Sequence, residues 1–581
     1  MRKSLILLYL FLFCTAVFAN GGKITEALKS RISSVKPDEK VLVWVFFSDK
    51  GLNKETAKMQ PENYLGEKSV QRRAKLLDKD ALIDITDYPI FPDYVNLLKN
   101  YGFLLKQKSK WFNGVSGFLS ARMVKLVSSL PYVKQVDLVG KFKLNIGDLS
   151  KPAGISNNTL KKDIYSLNYG SSFTQLQQIN VPTVHALGYS GKGVTVGVFD
   201  AGFSNLAHEV FSKMKILAKW DFVNNGPNVG DAPNLKGEGS HGTATLSAVG
   251  GFKDSKLIGP AYEANFILAK TENTESETPV EEDNWIAAME WADSIGVDVI
   301  STSLGYLTFD PPYQSYTWQD MNGHTARITK AAALAARKGI VVVVSAGNEG
   351  ENSEHNTLGA PADADSIVTV GAVDYLGKKA YFSSIGPTSD GRIKPDVMAM
   401  GVSDTLAGST APNEYVSGSG TSFSCPLTAG VAALLLSADP KATPVQIRDA
   451  LRNSGSNKSN PDRFYGWGII DAKKALDYVL SLATDVSDKK NNIPNSFVLE
   501  QNYPNPFNPT TKISYSIPAE SFVRLELYNV LGVKISTLFE GSREKGQYSF
   551  TLDGSSLASG IYFIRMSAGS FNNTIKIVLA K

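Results

Sequence analysis

The sequence predicts an α/β protein. A parallel sheet with helices on both faces forms the body, a small α+β domain precedes it and a β-sandwich follows. Three observations carry this. Apolar strand-like runs alternate with helical patterns from about 171 to 480. Residues 20–145 mix both patterns, and residues 496–581 hold only short alternating strands between turn residues. A chain of 581 residues has room for roughly three to five compact units.

The central elements follow in order. Gly193 to Asp200 and Asn265 to Lys270 read as buried strands. A helix over Asp283 to Ile295 precedes the strand Asp298 to Ser303, and a helix over Ala326 to Lys338 precedes the strand Gly339 to Ser345. Strands that are apolar throughout and follow helices imply a parallel sheet covered on both sides. Thr443-Pro444 opens a helix over Val445 to Arg452, with Pro at a tolerated first-turn position. In the first domain, Val41–Phe47, Gly117–Arg122 and Tyr132–Val139 read as strands and Met123–Leu130 as a helix. Residues 146–170 and 481–495 are polar and read as an exposed connector and a linker. The last domain offers strands at Lys512–Ile517, Phe522–Tyr528, Val533–Leu538, Gln547–Leu552, Ile561–Ser567 and Thr574–Leu579.

Composition narrows the function. With 43% hydrophobic and 20% charged residues the chain is globular. Two cysteines exclude a disulfide framework and a Cys-rich zinc fold. A net charge of +4 offers no nucleic-acid footprint. That charge is unevenly placed: residues 20–150 carry 22 Lys and Arg against 14 Asp and Glu, a net of +8, and residues 151–581 carry −6. Residues 1–19 read as a secretory signal, with Arg2 and Lys3 before an apolar run that ends at Ala19. The run is short for a membrane anchor. Phe13 stands before Cys14 where a lipoprotein signal carries a small residue.

Three short motifs could carry chemistry. A strand ends in Asp200-Ala201-Gly202, Ser240-His241-Gly242-Thr243 opens a probable helix, and Gly418-Ser419-Gly420-Thr421-Ser422 leads into an apolar helix. Functional groups in open α/β sheets gather beyond the carboxyl ends of strands. A Ser at a helix start has its N–H in the positive end of the helix dipole, which suits a developing oxyanion. Asp200, His241 and Ser422 could therefore form a nucleophile, base and orienter. Asn348 stands just past the strand ending at Ser345, where its amide could donate to an oxyanion. Taken singly, each residue could equally be a cap or a buried hydrogen-bonding group. Cys425, three residues past Ser422, reads as a small buried hydrophobe.

Together, in the order Asp, His, Asn, Ser, these motifs resemble the subtilisin family of serine peptidases. Ser301-Thr302-Ser303-Leu304-Gly305, Lys394-Pro395-Asp396-Val397 and Tyr465-Gly466-Trp467-Gly468 add to the resemblance. It implies a subtilisin-like sheet and a secreted endopeptidase that cuts peptide bonds through Asp200, His241 and Ser422 and an acyl-enzyme, with Asn348 in the oxyanion site. It also implies a primary specificity pocket walled by Ser303, Leu304, Gly305, Ser345, Ala346 and Gly347 with Gly359 near its floor, suited to large apolar groups. No cofactor is required for catalysis, and structural calcium is allowed. The alternative is a catalytically inactive surface or adhesion scaffold. An α/β-hydrolase lipase is disfavoured, because Ser422 lacks the second glycine of Gly-x-Ser-x-Gly and the residue order differs.

The flanks carry resemblances of their own. Residues 20–145, most closely Asn113–Val139, resemble the inhibitory propeptide of this family, which would act on the chain's own cleft. Residues 496–581 resemble the sorting domain of type IX secretion cargo, through Asn502-Tyr503-Pro504-Asn505-Pro506-Phe507-Asn508-Pro509 and Leu557-Ala558-Ser559-Gly560-Ile561-Tyr562. That implies protein or peptide substrates, outer-membrane secretion machinery as a partner, and a secreted or cell-surface location in a Gram-negative bacterium.

Overall fold

The structure is a computed structural model of the chain. It describes residues 22–51, 65–139, 148–150, 166–274, 280–307, 315–352, 354–491, 496–502, 505–555 and 557–580. The expected signal segment, 1–19, lies outside the described residues. The chain divides into two compact units at Leu480/Ser481, each described here by itself.

The first unit opens with an antiparallel sheet of order β2-β3-β1-β4: β1 (Lys40–Phe47), β2 (Leu104–Ser109), β3 (Gly114–Ser120) and β4 (Val133–Leu138). Helices α1 (Glu26–Ser33), α2 (Glu67–Arg73), α3 (Pro92–Asn100) and α4 (Ala121–Ser128) accompany it. β1 reads KVLVWVFF because both its faces are covered. Val41, Val43, Val45 and Phe47 pack with Leu28, Val95, Leu98 and Val124 in the domain's own core. Leu42 and Trp44 turn the other way, with Phe46, Phe118 and Val139. That second face meets the catalytic body: the Trp44 indole N–H donates to Asp283 at 2.6 Å.

Past the short strand β5 (Asp148–Ser150) come helices α5 (Phe173–Gln178) and α6 (Val181–Ala186). A seven-stranded parallel sheet then takes the order β14-β13-β12-β11-β6-β10-β7. Its members are β6 (Thr195–Asp200), β7 (Lys215–Asp221), β10 (Asn265–Lys270), β11 (Val299–Thr302), β12 (Val341–Ser345), β13 (Val368–Val373) and β14 (Val397–Met400). A two-residue hairpin, β8 (Phe252–Lys253) with β9 (Leu257–Ile258), lies between β7 and β10. Helices α7 (Ser240–Gly250), α8 (Val280–Ile295), α9 (Arg327–Arg337), α10 (Thr421–Ala438), α11 (Pro444–Ser454) and α12 (Ala472–Asn491) cover the sheet or follow it. β12 shows why such strands lose alternation: Val341 and Val343 face one core, Val342 and Val344 the other. The chain runs from β6 out to β7 and back to β10, then crosses β6 to β11. The order thus reverses around β6, and the crevice beyond the carboxyl ends of β6 and β11 is the place for a site.

Two expectations change. The stretch 146–170 is not simply an exposed connector. β5 pairs antiparallel with β16 (Tyr415–Ser419), which also pairs with β15 (Asp404–Ala407), and Tyr169 is buried with its hydroxyl on His185 Nδ1 at 2.8 Å. The expected linker 481–495 is helical as far as Asn491, because no Gly or Pro interrupts the run and Leu482, Ala483, Lys489 and Lys490 favour a helix.

Among the described residues the second unit has seven strands: β17 (Val498–Leu499), β18 (Thr510–Ile517), β19 (Ser521–Asn529), β20 (Lys534–Arg543), β21 (Gly546–Asp553), β22 (Gly560–Ala568) and β23 (Phe571–Leu579). They form sheets β17-β18-β21 and β20-β19-β22-β23. Alternate residues of both sheets, such as Ile513, Tyr515, Leu525, Ile564 and Ile577, share one core, so the antiparallel strands form a sandwich.

One buried group runs against the chemistry of its surroundings. Asp404, at the head of β15, is fully buried, and among the described residues neither carboxyl oxygen meets a donor. Burial pushes its pKa up to about 8. The unfolded chain sheds this proton near pH 4. The folded state keeps it, so stability is full below about pH 4 and is lost as pH rises toward 8. In a Ser422→Ala background, Asp404→Asn should raise the melting temperature by a margin that widens from pH 5 to 8, reaching the equivalent of a few kcal/mol. A gain independent of pH would refute this assignment.

Candidate active site

β6 delivers Asp200 to the crevice and α7 brings His241 onto it. Their approach depends on Gly242. A Cβ there would stand 2.0 Å from the Gly202 carbonyl oxygen and 3.0 Å from the Asp200 Cβ. Without a side chain, the first turn of α7 lies directly on the end of β6. His241 Nδ1 then meets Asp200 Oδ1 at 2.7 Å, both residues being buried. Asp200 also accepts from Ala201 N at 2.7 Å and Thr245 Oγ1 at 2.9 Å. An acceptor-only carboxylate on Nδ1 sets the tautomer: Nδ1 carries the proton and Nε2 the lone pair. Among the described residues Nε2 has no hydrogen-bond partner, and it is buried.

Ser422 is the second residue of α10, after Gly420 at φ 157°. The His241 ring lies 5.7 Å, centroid to centroid, from that of Phe423, so the imidazole sits beside the start of α10. The Ser422 hydroxyl points at the Ser303 carbonyl, 3.4 Å away, and not at His241. Catalytic hydrogen bonds are often loose without substrate.

Asn348 follows β12. Its Oδ1 accepts from Thr421 N at 3.0 Å and Thr421 Oγ1 at 2.9 Å. With the oxygen so committed, Nδ2 is the donor end of the amide. Asn348 and Ser422 are thus tied together through Thr421.

Of the expected pocket residues, Ser303, Leu304 and Gly305 leave the end of β11, and Ser345, Ala346 and Gly347 leave β12. Three of the glycines border one space: a Cβ on Gly305 would lie 3.9 Å from Gly359 Cα, and one on Gly347 would lie 3.7 Å from Gly359 N. Leu304, Ser345 and Ala346 are buried behind them.

Sequence reasoning missed the role of Ser303. Pro426 has no N–H, so the Ser422 carbonyl four residues earlier lacks its helical partner. The Ser303 hydroxyl donates to that carbonyl at 2.8 Å. A proline four residues after the nucleophile was the readable sign. It also missed Thr421 and Thr245. Among the described residues no three His, Cys, Asp or Glu side chains converge as a metal cage would, so no described side-chain cluster fits the allowed calcium.

Three family profiles match the chain. The subtilase family profile matches residues 191–468. The Peptidase S8 propeptide domain of Bacteroidota matches 42–154, and the secretion system C-terminal sorting domain matches 501–580. Subtilisin DY of Bacillus licheniformis is 34% identical over 299 residues, covering 51% of this chain and 96% of that protein. Subtilisin E of Bacillus subtilis is 30% identical over 384 residues, covering 65% and 85%. Serine protease AprX of Bacillus subtilis is 30% identical over 318 residues, covering 49% and 67%.

Cys425 is buried in α10, its sulfur 3.5 Å from the Thr302 and Val343 carbonyl oxygens. Burial pushes its pKa up to about 12. The native thiol should react with a disulfide reagent at neutral pH on the order of 100-fold more slowly than the unfolded chain's. Equal rates would place a reactive thiol at the site.

Proposed function

The chain belongs to the subtilase family of serine endopeptidases, and on that footing we propose how its own residues carry the reaction. Its sorting domain marks it as an exported or cell-surface protein. Ser422 Oγ attacks the scissile carbonyl while His241 Nε2 takes its proton. Asp200 holds the imidazole orientation and stabilises the imidazolium. The Asn348 amide and the Ser422 N–H, at the positive end of α10, receive the oxyanion. His241 then protonates the leaving amine, and water resolves the acyl-enzyme by the same route in reverse. The observation that carries this reading is the buried 2.7 Å bond between Asp200 and His241 Nδ1, which leaves Nε2 as the basic nitrogen beside the start of α10. The space bordered by Gly305, Gly347 and Gly359 would receive a large apolar side chain before the cut bond.

β5 supports self-processing. It runs antiparallel to β16 with Asp148 opposite Ser419, three residues before Ser422. A cut close to Asp148, with residues 148–150 on the leaving-group side, therefore lies near the proposed nucleophile along the chain it pairs with.

Ser422→Ala or His241→Ala should lower turnover on a peptide substrate by about six orders of magnitude, the loss that removing the equivalent groups causes in subtilisin. Asn348→Ala should lower it about 100- to 1000-fold. A wild-type chain that turns over no peptide would support the scaffold reading, and unchanged turnover in either of the first two variants would overturn the assignment. Mass spectrometry of the refolded wild-type chain should find the catalytic fragment beginning at, or within about three residues of, Asp148, with Ser422→Ala left whole. A new terminus upstream of Val139 or beyond Tyr169 would sink this role for β5.

A further inference from the structure

The prodomain holds the catalytic body at a second place, far from Ser422. Helix α2 carries Arg72 and Arg73, whose side chains are about 1% exposed. They reach the opposite end of the body from the active site. α8 and α9 lead into β11 and β12, so their carboxyl ends lie where those strands begin. Each such end leaves carbonyls without helical partners and carries partial negative charge.

Arg72 occupies both ends at once. Its Nη1 donates to the Val297 carbonyl at 2.7 Å, just past α8, and its Nε to the Lys338 carbonyl at 3.1 Å, the residue capping α9. Its remaining nitrogen donates to Asp293 and to Ser69 Oγ. Arg73 donates to the other oxygen of Asp293 at 2.5 Å and forms a two-pronged pair with Asp87 at 2.7 and 2.8 Å. Lys338, from the catalytic side, reaches both Asp87 oxygens at 3.1 Å. The backbone joins in, with Gly66 N donating to the Ser294 carbonyl at 2.8 Å. Glycines make room: a Cβ on Gly339 would meet Arg72 Cγ at 3.2 Å, and one on Gly296 would meet Ser69 N at 2.7 Å. Burial pushes Asp87 up, yet the bonds and charge of Arg73 outweigh it and hold its pKa at about 2.

We propose that Arg72 caps the carboxyl end of α9 and ties it to the turn that follows α8, and that the Arg72–Arg73–Asp293–Asp87–Lys338 cluster is a remote lock that keeps the prodomain docked after Ser422 has cut the chain near Asp148. This rests on residues 42–154 acting as a prodomain. The planar fork is essential, because a lysine offers one charge centre and cannot span both carbonyls. A partner removed from such a buried cluster leaves an uncompensated charge, and the loss is large.

Two measurements test it. In the full chain carrying Ser422→Ala, where nothing depends on self-cleavage, hydrogen exchange is followed at the last turns of α8 and α9. Arg72→Met should speed exchange there by about 100-fold or more, Arg72→Lys should fall between, and α7 should not change. Asp293→Asn repeats the test from the catalytic side and leaves the prodomain's own Arg73–Asp87 pair intact. In the self-processed wild-type chain, native mass spectrometry should find the cut prodomain still bound, and Arg72→Met and Asp293→Asn should lose it. Unchanged exchange in both variants, or equal retention of the cut prodomain, would overturn the lock. A wild-type chain that is never cut would count against the Ser422 reading and leave the exchange result to decide the lock.

Discussion

The bond between Asp200 and His241 exists because a helix start lies directly on a strand end. Gly242 allows that contact, and much else follows from it. Once α7 rests on β6, the imidazole has a fixed tautomer and one fixed edge. α10 must then present Ser422 next to that edge, and a buried, almost wholly apolar helix is the means. Its Pro426 costs Ser422 a carbonyl partner, which β11 supplies through Ser303. The Ser303 hydroxyl and the nucleophile's backbone are therefore one unit, and the edge leading to Gly305 is set by the same contact.

The candidate site residues were legible because each sits where local sequence marks an element boundary. A strand ends at Asp200, helices begin beside His241 and Ser422, and Asn348 follows four valines and a serine. The long strands and helices of the body were legible for the same reason, as were those of the sandwich. Other parts owe their form to distant partners. β5 is three residues long, reads as loop, and is a strand only because β16 pairs with it. β2 reads LLKQKS, and its lysines and glutamine hid a strand that lies against β3 and sends Gln107 to Asn284. Nothing local marks Arg72 and Arg73 as buried. Arginine is seldom buried without a partner, and Asp293, which the two share, lies more than 200 residues away.

The uneven charge of the chain acquires a local meaning. Part of the prodomain's positive charge ends on one carboxylate of α8, that of Asp293. The other acidic side chains of α8 that the prodomain reaches are met by neutral donors. Asp283 takes the Trp44 indole, and Glu290 takes Ser109 Oγ at 2.5 Å with the Lys110 and Trp111 amides at 2.9 and 3.1 Å. Asp293 takes both arginines. At the start of α9, Arg327 faces the prodomain, pairing with Asp137 and lying over the Trp44 and Phe46 rings. One helix thus offers acceptors along its length, and the prodomain answers with donors of four kinds: indole, hydroxyl, backbone amide and guanidinium.

The two-faced strand β1 gives departure of the prodomain a direction in time. Trp44 is buried where the body meets it, through Asp283 and Arg327, with Leu42 packed beside it and Phe46 and Phe118 partly sheltered. Uncovering such a side chain costs about 1.5–3 kcal/mol. A detached prodomain would carry a sticky apolar face, poorly suited to persisting alone in water beside a working peptidase. Loss of that fragment, by digestion or by clumping, would remove the inhibitor from the equilibrium. Activation then behaves as a ratchet: slow to begin, and without a return stroke.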